Sequence, residues 1–111
     1  MIILEVGINH FGKINDAKKF LNFFLNSQFT HLTFMIHTNK FYENFKKKID
    51  FKLNNTFYQN ALFLAHKKKK KIGLAVCDHK SFQELSSIKF DFYKLLSIGI
   101  DNRSLVKQLD N

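Results

Sequence analysis

The residues best suited to chemistry near the start of the chain are Glu5, Asn9 and His10, which supply a carboxylate, an amide and an imidazole. Glu5 interrupts an apolar run over residues 2–8 that predicts a parallel strand covered on both faces. A carboxylate inside such a strand needs a reason, because burying an unpaired charge is costly. Asn9 and His10 follow at the carboxyl end of the strand, where parallel α/β sheets carry their ligand sites. The strand and the turn after it therefore place polar groups where such sheets carry out their chemistry.

A second polar group, made of Lys94, Ser97 and Asn102, accompanies the last predicted strand. Lys94 lies near the end of an apolar stretch over residues 90–96, Ser97 ends it, and Asn102 is placed to cap the next helix. An ammonium and a hydroxyl at a strand end, beside a helix N-terminus, make an anion site. The alternative is that Lys94 is a strand-end lysine whose ammonium reaches solvent. The residues alone do not decide between these two readings.

Strands and helices alternate along the sequence and would position these groups. Apolar patterns predict strands over residues 1–8, 31–37, 72–77 and 90–96, each followed by a helix or a long loop with a helix. Strands that alternate with helices pair in parallel through right-handed crossovers. The sequence therefore predicts an α/β fold of four parallel βα units, in a single domain over residues 1–111.

The helices are predicted from apolar residues at helical spacing and from the residues that could cap them. Asn15 or Asp16 would cap the first helix, Asn54 or Asn55 would start the second, and Asp78 can cap the helix that follows the third strand. The second helix runs into five lysines at 67–71, which suit the negative end of the helix dipole and which we expect to be solvated, with a polyanion site as the alternative. Residues 41–53 predict a long loop.

The positive charge raises nucleic acid or an anionic membrane surface as partners, because the formal net charge is +9 in 111 residues. Nearly all of that charge is lysine, however, and Arg103 is the only arginine. Proteins that read bases and phosphates favour the bidentate fork of arginine. We therefore do not expect dedicated nucleic-acid binding, and a basic nucleic-acid-binding protein is kept only as a second alternative function.

The remaining composition favours a cytoplasmic protein. Cys77 is the only cysteine, so that no intrachain disulfide can form and a reducing compartment fits. No apolar run approaches the ~18 residues of a membrane-spanning helix, and the N-terminus lacks the pattern of a secretion signal. We expect no membrane partner.

Two stretches carry a resemblance to a known family. Glu-Val-Gly-Ile-Asn-His-Phe-Gly at residues 5–12 resembles the opening strand of the sialic acid synthase (N-acetylneuraminate synthase) family, whose pattern is Glu-Ile-Gly-x-Asn-His-x-Gly. Residues 93–102 resemble the family pattern Tyr-Lys-Ile-x-Ser-Gly-[Glu/Asp]-x-x-Asn. The resemblance implies a (β/α)8 barrel that condenses phosphoenolpyruvate with an N-acetylmannosamine-like sugar, using a divalent metal. Such a barrel needs ~250 residues, so this chain would be its N-terminal half.

The resemblance implies six substrate-binding residues, of which two fall on positions that bind the phosphate or carboxylate of phosphoenolpyruvate. The two are Lys94 and Ser97, and the others are Glu5, Asn9, His10 and Asn102. It assigns no catalytic residue here. The metal ligands of the family, for a divalent ion such as manganese, belong to the second half of the barrel, and we expect no cofactor in this chain.

Three departures from the family pattern predict a degenerate site. No lysine stands at the end of the second strand, where residues 34–37 read Phe-Met-Ile-His. Ala-Val-Cys at 75–77 replaces Ser-Thr-Pro, and Gly99 replaces a carboxylate. Losing a clamp lysine and a proton-transfer group would weaken binding and lower the rate by ~10²–10⁴-fold. We expect a truncated, split or degenerate synthase, with a non-catalytic sugar- or anion-binding or assembly module as the alternative.

Four strands cannot close a barrel and would leave two open edges and an apolar face. We therefore expect a partner, either a second copy of the chain in a homodimer or a separate C-terminal half-barrel chain.

Two further chemistries are supported more weakly by the sequence. His10 and His37 could lie at strand ends near Glu5 and Asp78 and hold a cation, but the five histidines show no HxxxH or HxH spacing. Cys77 could be a reactive thiol, with a buried inert thiol as the favoured alternative.

Overall fold

The computed structural model of the chain describes residues 1–36, 53–96 and 102–110. The elements in chain order are β1 (Ile3–Gly7), α1 (Ile14–Asn26), β2 (His31–Met35), α2 (Asn55–Lys67), β3 (Lys71–Val76), α3 (His79–Glu84), β4 (Phe92–Leu95) and α4 (Arg103–Asp110). The strands form a sheet in the order β1-β2-β3-β4, and each neighbouring pair is parallel. The predicted fold of four parallel βα units is confirmed. Of the long loop predicted over residues 41–53, all but Leu53 lies outside the described residues. His37, the last residue of the second predicted strand, also lies outside them.

One face of the sheet packs against the helices and forms the core. Residues paired across the strands share a face, because side chains alternate along a strand. Two such rows are Leu4, Leu32 and Ile72, and then Phe34, Leu74 and Tyr93. These side chains join buried residues of the helices in one cluster, which includes Ala17, Leu21, Phe24, Phe57, Ala61 and Leu105. The core therefore lies between the sheet and its helices, and the opposite face is left free to line a site.

The first strand is covered less completely than its apolar run predicts. Ile2 and Ile3 are 64% and 37% exposed, whereas Val6 is buried. β1 is an edge strand that pairs with β2 on one side, and no described strand pairs with its other side. The prediction of a strand covered on both faces is wrong at the start of the strand, because β1 lies at the edge of the sheet and Ile2 and Ile3 are left exposed there.

Three of the predicted helix caps are confirmed and one is wrong. Asn54, Asp78 and Asn102 accept hydrogen bonds from backbone N–H groups three residues on, at 2.8, 3.1 and 3.1 Å. α1 instead begins after Lys13, and no side chain caps it. The preceding turn carries the chain directly into the helix, so that Asp16 falls in the first turn, where its charge still suits the helix dipole.

One lysine of the run 67–71 is buried, which the prediction of a solvated helix end did not anticipate. Lys70 is 8% exposed, and its ammonium donates to the carbonyl oxygens of Phe24, Ser27 and Phe29 at 2.7, 2.6 and 2.8 Å. These carbonyls lie at and just beyond the C-terminus of α1, where helices leave such acceptors without partners. Burial lowers the pKa of Lys70, and Lys68 lowers it further. Lys70 therefore fastens the end of α1 to the start of β3.

Candidate functional site

The second face of the sheet carries polar and small residues in two rows. Strand register places Glu5, Thr33, Gly73 and Phe92 in one row, and Met35, Ala75 and Lys94 in the next row towards the carboxyl ends. Both rows lie opposite the helix-covered core because each member is an odd number of residues from a core-facing neighbour. We call this surface the concave face. It brings together Glu5 and Lys94, which were predicted to belong to one site.

Glu5 and Lys94 form an ion pair across the concave face. They lie on the first and fourth strands, whose backbones would be about 14 Å apart in a flat sheet. The contact therefore requires a curved sheet, with both side chains reaching across the two intervening strands. Each side chain is 49% exposed. Both charged groups can thus exchange their contact for one with a dissolved ligand.

The floor of the concave face is an aromatic ring laid over a glycine. A Cβ atom on Gly73 would lie 2.4–2.6 Å from three atoms of the Phe92 ring, which leaves no room for any side chain there. The Phe92 ring also lies near the ring of His31, with ring centroids 5.7 Å apart. Sequence reasoning missed both Gly73 and Phe92 as site residues. The available signal was a glycine inside a strand, which often marks such a close approach.

Three residues at positive φ lie at the end of β1 and in the turn that follows it. Gly7, Phe11 and Gly12 have φ values of 59°, 51° and 72°, and glycine supplies two of them at no steric cost. Asn9 is exposed, and its amide donates to the carbonyl oxygen of Val6 at 2.9 Å. The Asn-His-x-Gly stretch is thus a turn-forming unit in its own right.

His10 is fully buried within this turn. Its Nδ1 accepts a hydrogen bond from the Gly12 N–H at 2.9 Å, which places the ring hydrogen on Nε2 in the neutral form. No described residue accepts a hydrogen bond from Nε2. Burial lowers the pKa of His10, so the imidazole is held neutral. The described contacts of His10 are therefore those of a turn-stabilising residue with one donor still available.

The remaining predicted site residues are placed differently. Asn102 uses its side-chain oxygen to cap α4, as described above. Ser97 lies outside the described residues. Among the six predicted residues, the described hydrogen bonds of Asn9, His10 and Asn102 are local, and Glu5 and Lys94 alone meet across the sheet.

The described residues do not fit a metal site. They contain no group of three or more His, Cys, Asp or Glu side chains that could hold an ion. His37, one of the two histidines considered for this role, lies outside them. Cys77 is buried, as the inert-thiol alternative requires. Within residues 1–36, 53–96 and 102–110 there is also no helix with the length and apolar character needed to cross a membrane.

Comparison with known proteins reveals a similar fold. No protein-family model matches the sequence, and no curated protein matches it. A solved structure that resembles the chain is the N-acetylneuraminic acid (sialic acid) synthetase from Leptospira borgpetersenii serovar Hardjo-bovis in complex with citrate. The TM-score is 0.74 at 20% sequence identity, over 95% of this chain and 39% of that one. The four βα units thus correspond to part of a barrel enzyme, as the half-barrel prediction requires, and at this identity the likeness concerns the fold.

Proposed function

We propose that this chain is the N-terminal half of a sialic acid synthase-type barrel, and that its concave face binds a small anion through Lys94. The observation that carries the proposal is the meeting of Glu5 and Lys94 across that face. Both residues come from the two stretches that resemble the family, and they are separated by 89 positions in the chain. A fold of the same shape in a sialic acid synthetase supports the same assignment.

The chemistry of Lys94 suits an anionic ligand. An ammonium offers three donors, one of which Glu5 engages, and the side chain is half exposed. The similar synthetase was crystallised with citrate, a multivalent carboxylate. Phosphoenolpyruvate, the anion implied by the family resemblance, carries a phosphate and a carboxylate that such a donor can hold.

We infer that the chain alone is catalytically degenerate. The second predicted strand carries no clamp lysine, and Gly99 replaces the family carboxylate. The described residues also hold no metal-ligand cluster. Turnover in acidic sugar biosynthesis would therefore need a second half that supplies the missing groups. A non-catalytic anion- or sugar-binding module is the alternative that these departures favour. Cytoplasmic residence is proposed with it, because the lone buried thiol of Cys77 suits a reducing compartment.

A partner chain would cover the open edge at β1. A cleft of about 200 Å³ lies there, lined by Leu4, Glu5, Val6, Phe20, Phe23 and Leu32. Its rim is apolar, with Phe23 66% exposed. In a closed barrel another strand and helix would occupy this position. A second copy of the chain or a C-terminal half-barrel would each supply them.

Titration with phosphoenolpyruvate, followed by calorimetry or NMR, tests the anion site. Lys94→Ala should weaken binding by about 10- to 100-fold, because it removes a charge-assisted hydrogen bond worth ~1.5–3 kcal/mol. Lys107→Ala is the matched control, since Lys107 is exposed in the last turn of α4. Equal binding by the wild type and Lys94→Ala would refute the proposed site.

A turnover assay separates an enzyme from a binding module. The chain is incubated with phosphoenolpyruvate, N-acetylmannosamine and Mn²⁺, with and without a C-terminal half-barrel chain. Product formed only in the presence of the second half supports a split synthase. Binding without turnover in either case supports the module. DNA binding that falls steeply with salt, together with no effect of phosphoenolpyruvate, would instead support a nucleic-acid-binding protein.

A further inference from the structure

The ammonium of Lys94 is already paired with a carboxylate from the same chain. Any dissolved anion that binds Lys94 must displace Glu5 or bind beside it. Displacement removes an existing ion pair, and binding alongside places two negative groups close together. Either way, the free energy of anion binding is reduced by a group that belongs to the site itself.

We propose that Glu5 is a built-in competitor that weakens anion binding at Lys94 and sets how strongly the site distinguishes anions of different charge. This inference rests on the proposed anion site and adds what limits the affinity of that site. With Glu5 ionised, the pair is neutral, and extra charge on a ligand brings little extra attraction. With the carboxylate removed, the site carries a full positive charge.

The geometry explains why Glu5 alone has this effect among the described residues. The two rows that surround the pair are otherwise uncharged, since they contain Thr33, Met35, Gly73, Ala75 and Phe92. No other described carboxylate forms an ion pair with Lys94. Removing the charge of Glu5 therefore changes the net charge of these two rows from zero to +1 in a single step.

The expected effect grows with ligand charge. For an anion about 6 Å from the carboxylate in water, Coulomb's law predicts that Glu5→Gln tightens binding by about threefold for a monoanion and about tenfold for a dianion at low ionic strength. Salt should reduce both gains, because the groups are half exposed.

The experiment titrates acetate and sulfate into wild type, Glu5→Gln and the double variant Glu5→Gln/Lys94→Ala, followed by NMR. Asp110→Asn is the matched control, because it removes one carboxylate from an exposed position at the end of α4. Tighter binding in Glu5→Gln, larger for sulfate and lost in the double variant, supports the inference. Binding of sulfate by Glu5→Gln alone supports it too, as complete blockade by Glu5.

Two results would overturn it. Equal affinities of wild type and Glu5→Gln would refute competition while leaving binding of phosphoenolpyruvate at Lys94 intact, so the failure of the inference and that of the proposed site are distinguishable. Weaker binding by Glu5→Gln than by the wild type would show that Glu5 supports the ligand instead of competing with it, and no binding of either anion by Glu5→Gln would overturn the inference as well. Far-UV circular dichroism checks folding, and if Glu5→Gln does not fold, Glu5→Asp takes its place. The shorter side chain of aspartate keeps the charge but moves it away from Lys94. Anion binding should then tighten by less than in Glu5→Gln, and again more for sulfate than for acetate.

Discussion

Lys94 on the last strand of the sheet pairs with Glu5 on the first, across two intervening strands. The contact joins the two edges of an incomplete barrel over its concave face. Because both side chains are half exposed, the pair belongs to the class of ion pairs that contribute little to stability. Its consequences are therefore expected in binding rather than in folding.

Lys94→Ala should change the free energy of unfolding by less than about 1 kcal/mol. Urea denaturation of wild type and variant measures this difference. A small change would allow any loss of phosphoenolpyruvate binding to be attributed to the missing ammonium. A loss of several kcal/mol would show instead that the pair maintains the curvature of the sheet.

Gly73→Ala should destabilise the fold by about 1–3 kcal/mol, because the added methyl group would overlap the Phe92 ring. Thermal or urea unfolding provides the measurement. The double variant with Phe92→Leu should recover part of the loss, since the two positions compete for the same space. Additive effects in that double-mutant cycle would contradict direct contact between them.

Lys70→Met should destabilise the chain by about 2–4 kcal/mol, because three carbonyl oxygens at the end of α1 lose a charged donor. Lys69→Met is the control, since it removes the same charge from an exposed neighbour. Urea denaturation should separate the two variants clearly. Similar, small effects in both would indicate that water replaces the Lys70 ammonium at those carbonyls.

His10 should make the protein less stable in acid. Burial lowers the pKa of His10 in the folded state. Below the ordinary histidine pKa of about 6.5, the unfolded chain therefore takes up a proton on His10 more readily than the folded chain does. Stability is therefore lost as the pH falls through that value, with a slope of at most about 1.4 kcal/mol per pH unit for one proton. His10→Asn should show a shallower decline between neutral pH and mild acid. Parallel curves for the two proteins would refute this role.

The open edge at β1 should promote association. Phe23→Lys should weaken self-association or association with a C-terminal half by about tenfold or more, because burial of a phenylalanine side chain is worth ~1.5–3 kcal/mol. Phe63→Lys is the matched control, being similarly exposed on α2 but not part of the cleft. Sedimentation velocity measures the effect. A wild-type chain that stays monomeric and does not associate with a second half would contradict the partner proposal.

Much of the fold follows from local sequence patterns. Apolar runs located β1 to β4, and Asn54, Asp78 and Asn102 marked helix starts because a cap depends only on residues three positions apart. The prediction that Asn15 or Asp16 caps α1 was wrong, because the helix begins earlier, at Ile14, directly after a turn with Phe11 and Gly12 at positive φ.

The sequence by itself determined the order of strands and helices, their parallel pairing and the polar residues at strand ends, because these depend on periodicity and on short-range chemistry. Only the tertiary structure decided which distant groups meet. It paired Glu5 with Lys94, laid Phe92 over Gly73 and buried Lys70 against α1. These contacts depend on the register and curvature of the whole sheet, which no local pattern encodes.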